Sequence, residues 1–343
     1  MGSRPTIADL AARAGVSVAT VDRVLNGRQR VREETARRVY QAASEIGYYA
    51  TALIRHRLAA DLPQARLGFL LQRQDQSFYQ AFAGELVKAA AETAGWRVQA
   101  DLRFVAAQTP QEVCAALEAL GAANQAVALT SLDHHSVTKV VENLKSNGKP
   151  VYALLSDFAQ GVRENYVGTN NMKVGRTAAW LVAHTARRPG KVAVFVGSHR
   201  WHGHELRETG FRSYFREYAP QFEVLDTLIN LETHQVTYEA TLNLVHRHAG
   251  IAGLYIAGGG MEGALQALRE LPPDRLPSVV VNELTPDSRA ALQDRLVTAA
   301  ISTPLPQLCR TLVDHMLATI RNGPAETPGQ IFLPFGLSVP ESI

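Results

Sequence analysis

A chain of 343 residues, 46% apolar and 20% charged, is long enough for two or three globular domains, and its composition excludes the disordered and fibrous classes. No apolar run approaches the roughly eighteen residues of a membrane helix, and the polar start MGSRPTIADL lacks the core of a secretory signal, so a cytoplasmic protein with no membrane partner is expected. The net charge of +3 is uneven: the first 60 residues hold ten arginines and no lysine against five acidic residues, while the rest holds 25 cations and 27 acids. A basic module on a slightly acidic body points to an anionic partner, nucleic acid first.

In chain order, Thr6 precedes IADLAARA, where Ile7, Leu10, Ala11 and Ala14 recur at helical spacing, with Thr6 as N-cap and Gly15 as terminator. Ser17 caps a second helix that places Val21, Val24 and Leu25 on one face and closes at Asn26-Gly27. A third helix is expected from about Arg32 to Ile46, with Val39, Ala42, Ala43 and Ile46 apolar. Two short helices around a glycine turn have the form of a helix-turn-helix, whose second helix enters the DNA major groove. Val16 then plugs the core at the turn, and Val18, Ala19, Asp22 and Arg23 face outward. The bland alternative is any small three-helix bundle, which the surrounding arginines disfavour.

From Arg66 the pattern changes to short apolar runs alternating with helical ones. LGFLL, WRVQADLRFV, AVALT and PVYALL read as strands with helices between them; YVG, KVAVFVG, FEVLDTLI, GLYIA, PSVVV and VTAAI continue the alternation. Strands apolar on both faces imply parallel sheets covered by helices, and so many strands imply two lobes with a cleft. The expected fold is therefore α/β, with two Rossmann-like lobes behind an all-α helix-turn-helix domain. The boundaries expected are a headpiece over 1–49, a linker over 50–63 and a body over 64–343. Within the body, one lobe takes about 64–160 plus 295–325, the other about 161–294 plus 326–343.

Ligands of open parallel sheets bind beyond the carboxyl ends of the strands, so the residues after each run are the ones to inspect. These are QRQDQSFY, SLDHH, SDF, TNN, SHRWHGHELR, NEL and STP. Hydroxyls, amides, carboxylates, an arginine and aromatic faces form a mixture suited to a small polyhydroxylated molecule. The rival is AGGGMEG, in which Gly258, Gly260 and Gly263 match G-x-G-x-x-G after a strand, with Glu283 where a ribose-binding carboxylate would stand. A nucleotide-dependent enzyme using Gly258–Gly263 is the alternative function. Too few strand-helix units follow it for a dinucleotide fold, and a ligand-facing glycine loop is the preferred reading. His199, His202 and His204 have no metal-motif spacing and read as cleft lining; Cys114 and Cys309 read as buried thiols. No catalytic motif, metal site or cofactor is assigned.

The stretches TIADLAARAGVSVATVDRVLNG and VREETARRVYQAASEIGY closely resemble the headpiece of the LacI/GalR family of transcriptional regulators. The two-lobed remainder resembles that family's periplasmic-binding-protein-like effector domain. The resemblance implies a homodimer on a palindromic operator of double-stranded DNA, usually as a repressor, with a small effector, most often a sugar, altering DNA affinity through the cleft. It assigns Ser17 and Thr20 to phosphate contact, Val18, Ala19 and Arg23 to base reading, and Asn26 and Arg28 to the backbone, with Thr6 and Asp22 in the same interface. Arg23 can pair bidentately with guanine, whereas Val18 and Ala19 offer apolar contact, for instance to a thymine methyl. Asp22 departs from the family's usual serine, and its carboxylate would either repel phosphate or orient an arginine.

The family's Tyr-x-Pro step before its hinge helix is missing from YYATALIRHRLAADLP, where Leu58 is the candidate minor-groove wedge and Leu53 the runner-up. In the body, ELRETGF matches the family's arginine three residues before Gly-Phe, which makes Arg207 the expected effector ligand. Phe78 resembles the aromatic that stacks on a sugar ring, and Trp201 supplies the opposite face. Asp133, Asp157, Asn170, Asn282, Glu283 and Thr303 stand at strand ends that line family clefts. Ala257-Gly258 replaces a common Asn-Asp pair, which would enlarge the pocket. The last helix is followed by no leucine heptads, so a dimer is expected rather than a tetramer.

Overall fold

The computed structural model describes residues 5–26, 31–54 and 62–343. Arg28 and Leu58, both expected at the DNA, lie outside them. The headpiece and the α/β body are two compact units.

In the headpiece, α1 (Ile7–Ala14), α2 (Val18–Asn26) and α3 (Glu33–Glu45) share one core. A capping box starts α1: Asp9 N donates to Thr6 Oγ1 at 3.3 Å and Thr6 N donates to Asp9 Oδ2 at 2.8 Å. The helix stops at Gly15, whose φ of +64° is left-handed. Arg38 Nη2, reaching over from α3, then donates to the orphan carbonyls of Ala14 and Gly15 at 2.8 and 2.9 Å. Arg13 on α1 bonds Glu45 on α3, Nε to Oε2, at 2.8 Å. Two of the ten basic residues counted toward nucleic acid therefore hold the fold. Leu10, Val21, Val39 and Ala43 are fully buried, and the helical residues 51–54 add Ile54 to the same core while leaving Leu53 exposed.

The body begins with β1 (Gln64–Gln72), α4 (Ser77–Glu92), β2 (Arg97–Val105), α5 (Pro110–Ala123), β3 (Ala126–Leu129), α6 (His135–Ser146), β4 (Val151–Leu154) and β5 (Asn165–Thr169). It continues with α7 (Asn171–Thr185), β6 (Lys191–Val196), α8 (His202–Tyr218), β7 (Glu223–Val224), β8 (Leu228–Ile229), α9 (His234–Arg247), β9 (Gly253–Ile256) and α10 (Met261–Arg269). The last elements are β10 (Ser278–Asn282), α11 (Pro286–Gln293), β11 (Ala299–Ser302), α12 (Leu305–Asn322), β12 (Gly329–Leu333) and β13 (Gly336–Ser338). Among the described residues the strands form two sheets, ordered β12-β5-β4-β3-β1-β2 and β13-β11-β10-β9-β6-β7, with β8 also on β6. Strands β3, β4 and β9 are buried at every position, as parallel strands covered on both faces must be.

Three placements differ from the expected lobe boundaries. Strand β5 pairs in parallel with β4 and stays in the first sheet, β11 pairs with β10 in the second, and β12 returns to the first beside β5. The terminal residues, expected wholly in the second lobe, are thus divided, and β13 closes the second sheet antiparallel to β11. Among the described residues the chain passes between lobes three times: after β5, after β11 and after β12. Periodicity locates strands, whereas sheet membership follows from non-local pairing that periodicity does not encode.

Helices α7 and α8 cross with their backbones almost touching. A Cβ at Gly175 would collide with the Arg207 carbonyl, and one at Gly210 with the Met172 carbonyl. The crossing brings the first residue of α7, Asn171, against Arg207 in the second turn of α8, where Nε donates to Asn171 Oδ1 at 2.7 Å. Gly210→Ala should therefore lower the stability of the body by about 1–3 kcal/mol. Denaturant unfolding checks this, and an unchanged midpoint would show that the crossing tolerates a methyl group.

Candidate functional site

The headpiece presents the outer face of α2. Ser17, Val18, Ala19 and Arg23 are exposed, Val18 at 45%. Ser17 Oγ accepts from Thr20 N at 3.2 Å and contacts Thr20 Oγ1 at 2.9 Å, so the two hydroxyls sit together at the helix start. That is where backbone N–H groups favour a phosphate. Thr6 is exposed but spends its hydroxyl on Asp9. The anomalous Asp22 bonds Asn26, whose Nδ2 donates to Oδ1 at 2.5 Å; its partner is an amide one turn on, rather than an arginine.

The second site is a cavity in the body enclosing about 760 Å³, counting the part open to solvent. Five expected residues line it: Phe78 from the start of α4, Trp201 and Arg207 from α8 and its cap, and Asn282 and Glu283 from the end of β10. Arg207 is 7% exposed, with Nη1 donating to the Ala257 carbonyl at 2.6 Å. Glu283 has φ +74°, an uncommon conformation for a residue with a Cβ. Burial raises its pKa, opposed by the Arg207 charge and by hydrogen bonds from Thr303.

The remaining expected ligands are not among the residues that line the cavity, and each has a partner elsewhere. Thr303 stands behind the cavity wall: its N and Oγ1 donate to Glu283 Oε2 and Oε1 at 2.8 and 2.7 Å, which fixes the carboxylate. Asp157 is taken by Arg163 through two bonds of 2.5 and 2.7 Å and also accepts from Gln330 Nε2 at 3.0 Å. Asn170 caps α7, accepting from Lys173 N at 3.0 Å. Asp133 is exposed, and its Oδ1 accepts from Ala159 N at 3.3 Å.

The cavity also contains residues that the sequence did not single out as effector ligands. Gln76, Ser77 and Thr130 line the first-lobe side, and Glu232 the second. Glu232 follows two short strands at a corner where Leu231 and Glu232 both have positive φ, +52° and +54°. Its position three residues after FEVLDTLI is the sequence clue to it. His204, read from the sequence as cleft lining, does line the cavity from the first turn of α8. Its Nδ1 accepts from Gly197 N at 3.2 Å, which leaves the proton on Nε2, 3.7 Å from Glu232 Oε1. Burial, reinforced by Arg207 and opposed by Glu232, lowers its pKa to about 4. His199 and His202 face other carboxylates, Glu208 and Glu205.

Each glycine of the G-x-G-x-x-G match has a packing reason here. A Cβ at Gly258 would strike His204, Gly260 has φ +83° at the start of α10, and a Cβ at Gly263 would strike the His234 carbonyl of α9. The room expected from the Ala257-Gly258 replacement is filled by His204 and Glu232.

Residues 67–324 match the family model of the periplasmic binding protein domain. The chain belongs to that family. Residues 6–50 match bacterial regulatory proteins of the lacI family, and the whole is a lacI-type DNA-binding transcriptional regulator. An HTH-type transcriptional regulator encoded in the aml 5' region of Streptomyces limosus is 25% identical over 340 residues, 96% of this chain and 92% of its own. The HTH-type transcriptional regulator AscG of Escherichia coli is 51% identical over 51 residues, 15% of each chain. An ABC transporter solute-binding protein from Agrobacterium vitis, solved with α-D-tagatopyranose, shares the fold at TM-score 0.72 and 18% identity over 81% of this chain and 95% of its own. These relatives give no support to a nucleotide-dependent enzyme.

Two tests follow. Asp157→Ala should cost about 3–5 kcal/mol by stranding Arg163; a stable variant with impaired ligand binding would restore Asp157 to the site. Because unfolded histidine binds a proton below about 6.5 and folded His204 only below about 4, stability should fall as pH drops through that window, by at most about 3 kcal/mol. Unfolding of the wild type and His204→Gln across pH 4–7 should show a shallower slope in the variant.

Proposed function

We propose that this regulator is a homodimeric repressor that reads a palindromic operator through paired headpieces, and that a sugar bound between the lobes sets its DNA affinity. The observation that carries this reading is a cavity walled from both lobes and flanked by hydrogen bonds that join them. From the first lobe, Arg73 Nη2 donates to the Leu231 carbonyl at 3.0 Å and Gln76 Nε2 to the Glu232 carbonyl at 3.3 Å, while Gln108 Nε2 donates to Glu232 Oε2 at 3.4 Å. A ligand held by Phe78 on one lobe and by Trp201, Arg207, Asn282 and Glu283 on the other favours the lobe arrangement that keeps those bonds. Such differential affinity is what shifts a conformational population.

A sugar suits the walls because aromatic faces pair with the apolar side of a pyranose, while the guanidinium, amide and carboxylate groups pair with its hydroxyls. The sugars in the solved neighbours of this fold agree with that chemistry. On the DNA side, Arg23 is the polar base reader, Val18 and Ala19 supply apolar contact, and Ser17, Thr20 and Asn26 hold the backbone. Arg28 and Leu58 complete the interface. A protein with this task works beside the chromosome, in the cytoplasm, and the reading assigns it no catalysis.

The test is selection of bound sites from random duplexes, followed by titration with sugars. Selected sites should be palindromic with a guanine in each half, and an effector should change affinity by roughly 5–150-fold. Arg23→Ala should lose about 1–3 kcal/mol of discrimination at that guanine while melting temperature and sugar binding stay at wild-type values. A variant that still discriminates would remove Arg23 from its role, and a chain insensitive to every sugar would remove the effector reading.

A further inference from the structure

The charge balance of the cavity bears on which sugar it takes. Among the described residues lining it, Arg207 is the one arginine or lysine, against the carboxylates of Glu232, Glu262 and Glu283. Glu283 has its compensation in the neighbouring Arg207 and the two Thr303 donors. Glu262 lies in the first turn of α10, where the helix end favours negative charge. Glu232 has no such support. It is 8% exposed, and its carboxylate receives two neutral donors, Gly259 N at 3.1 Å and Gln108 Nε2 at 3.4 Å.

The histidine facing Glu232 does not supply the missing charge. His204 is held as the neutral Nε2–H tautomer by the Gly197 amide, and its ring is 3.7 Å from Oε1. Arg73 gives its Nη2 to the Leu231 carbonyl and makes no ion pair within 4 Å among the described residues. The first-lobe wall adds Gln76, Ser77, Tyr79 and Thr130, all neutral. A neutral sugar filling the cavity would therefore shut an uncompensated carboxylate away from water, which is costly. A phosphorylated sugar would add repulsion to that cost.

We infer that the effector is an amino sugar whose ammonium group pairs with Glu232 where its carboxylate lines the cavity, while Arg207 and Glu283 bind its hydroxyls. The inference rests on the sugar reading of the cavity and sharpens it to a cationic ligand. The ammonium donates hydrogen bonds to Glu232 Oε1 and neutralises the cavity carboxylate that has no cationic partner among the described residues. The same pairing couples ligand charge to lobe closure, because Glu232 is also the residue that Gln76 and Gln108 grip from the first lobe.

Calorimetric titration of the full chain at pH 7 tests this, using D-glucosamine, D-galactosamine and D-mannosamine, each beside its parent hexose and its N-acetyl derivative. At least one amino sugar should bind about tenfold tighter than its parent, the difference between a charged and a neutral hydrogen-bonded pair, and acetylation should remove the advantage. Glu232→Gln keeps the acceptor oxygen and removes the charge, so the amine-to-parent ratio should fall to within about twofold of unity; a thermal melt reports whether the variant is folded. Parent hexoses binding as tightly as every amine would overturn the inference and leave the sugar reading standing. Binding by none of these sugars would overturn both. A folded Glu232→Gln variant with an undiminished amine preference would overturn the role of Glu232.

Discussion

A guanidinium buried in the second lobe organises the ligand-facing half of this protein. Removing an arginine from water is tolerable only where its donors find acceptors, and Arg207 finds them in Asn171 and the Ala257 carbonyl. Asn171 in turn donates to the Leu155 carbonyl at 3.0 Å and to the Tyr166 hydroxyl at 3.3 Å, both first-lobe groups. One cation thus connects the cavity, the start of α7 and the first crossover between lobes. The arrangement requires α7 and α8 to cross at backbone contact, which is why Gly175 and Gly210 stand where they do.

The other side of the cavity is built from strained backbone. Leu231, Glu232 and Glu283 all hold left-handed conformations, and each is fixed by bonds from elsewhere: Arg73 and Gln76 on the first pair, Thr303 on the third. Strain of this kind concentrates where geometry serves a ligand or a switch. The corner at 231–232 carries both tasks in the proposed mechanism, since it lines the cavity and receives the hydrogen bonds that cross between lobes.

Several polar residues that resemble ligand groups serve the framework instead. Asp157 with Arg163 forms a buried pair that also reaches Gln330 on β12, and Arg163 Nη1 donates to the Gly329 carbonyl at 2.7 Å. The pair fastens the returning strand β12 to the first sheet. Thr303 stands one bond from the cavity, orienting Glu283, and Asn170 starts α7. In the headpiece, Arg38 and Arg13 show the same division of labour, spending their charge on a helix end and a glutamate.

What the amino-acid order determined alone was whatever depends on neighbours in the chain. The three headpiece helices, with Thr6 as cap and Gly15 as stop, and the helix-strand alternation of the body follow from local hydrogen bonding and periodicity. The outward face of α2 and the family pattern around Arg23 and Arg207 follow from it too. Tertiary structure decided whatever depends on distant partners. It placed β5 and β12 in the first sheet and withdrew Asp157 from the cavity by setting Arg163 beside it. It brought Glu232 and His204 together from segments 28 residues apart. A carboxylate at a strand end looks the same in sequence whether it meets a ligand or an arginine, because only the fold sets which charge arrives beside it.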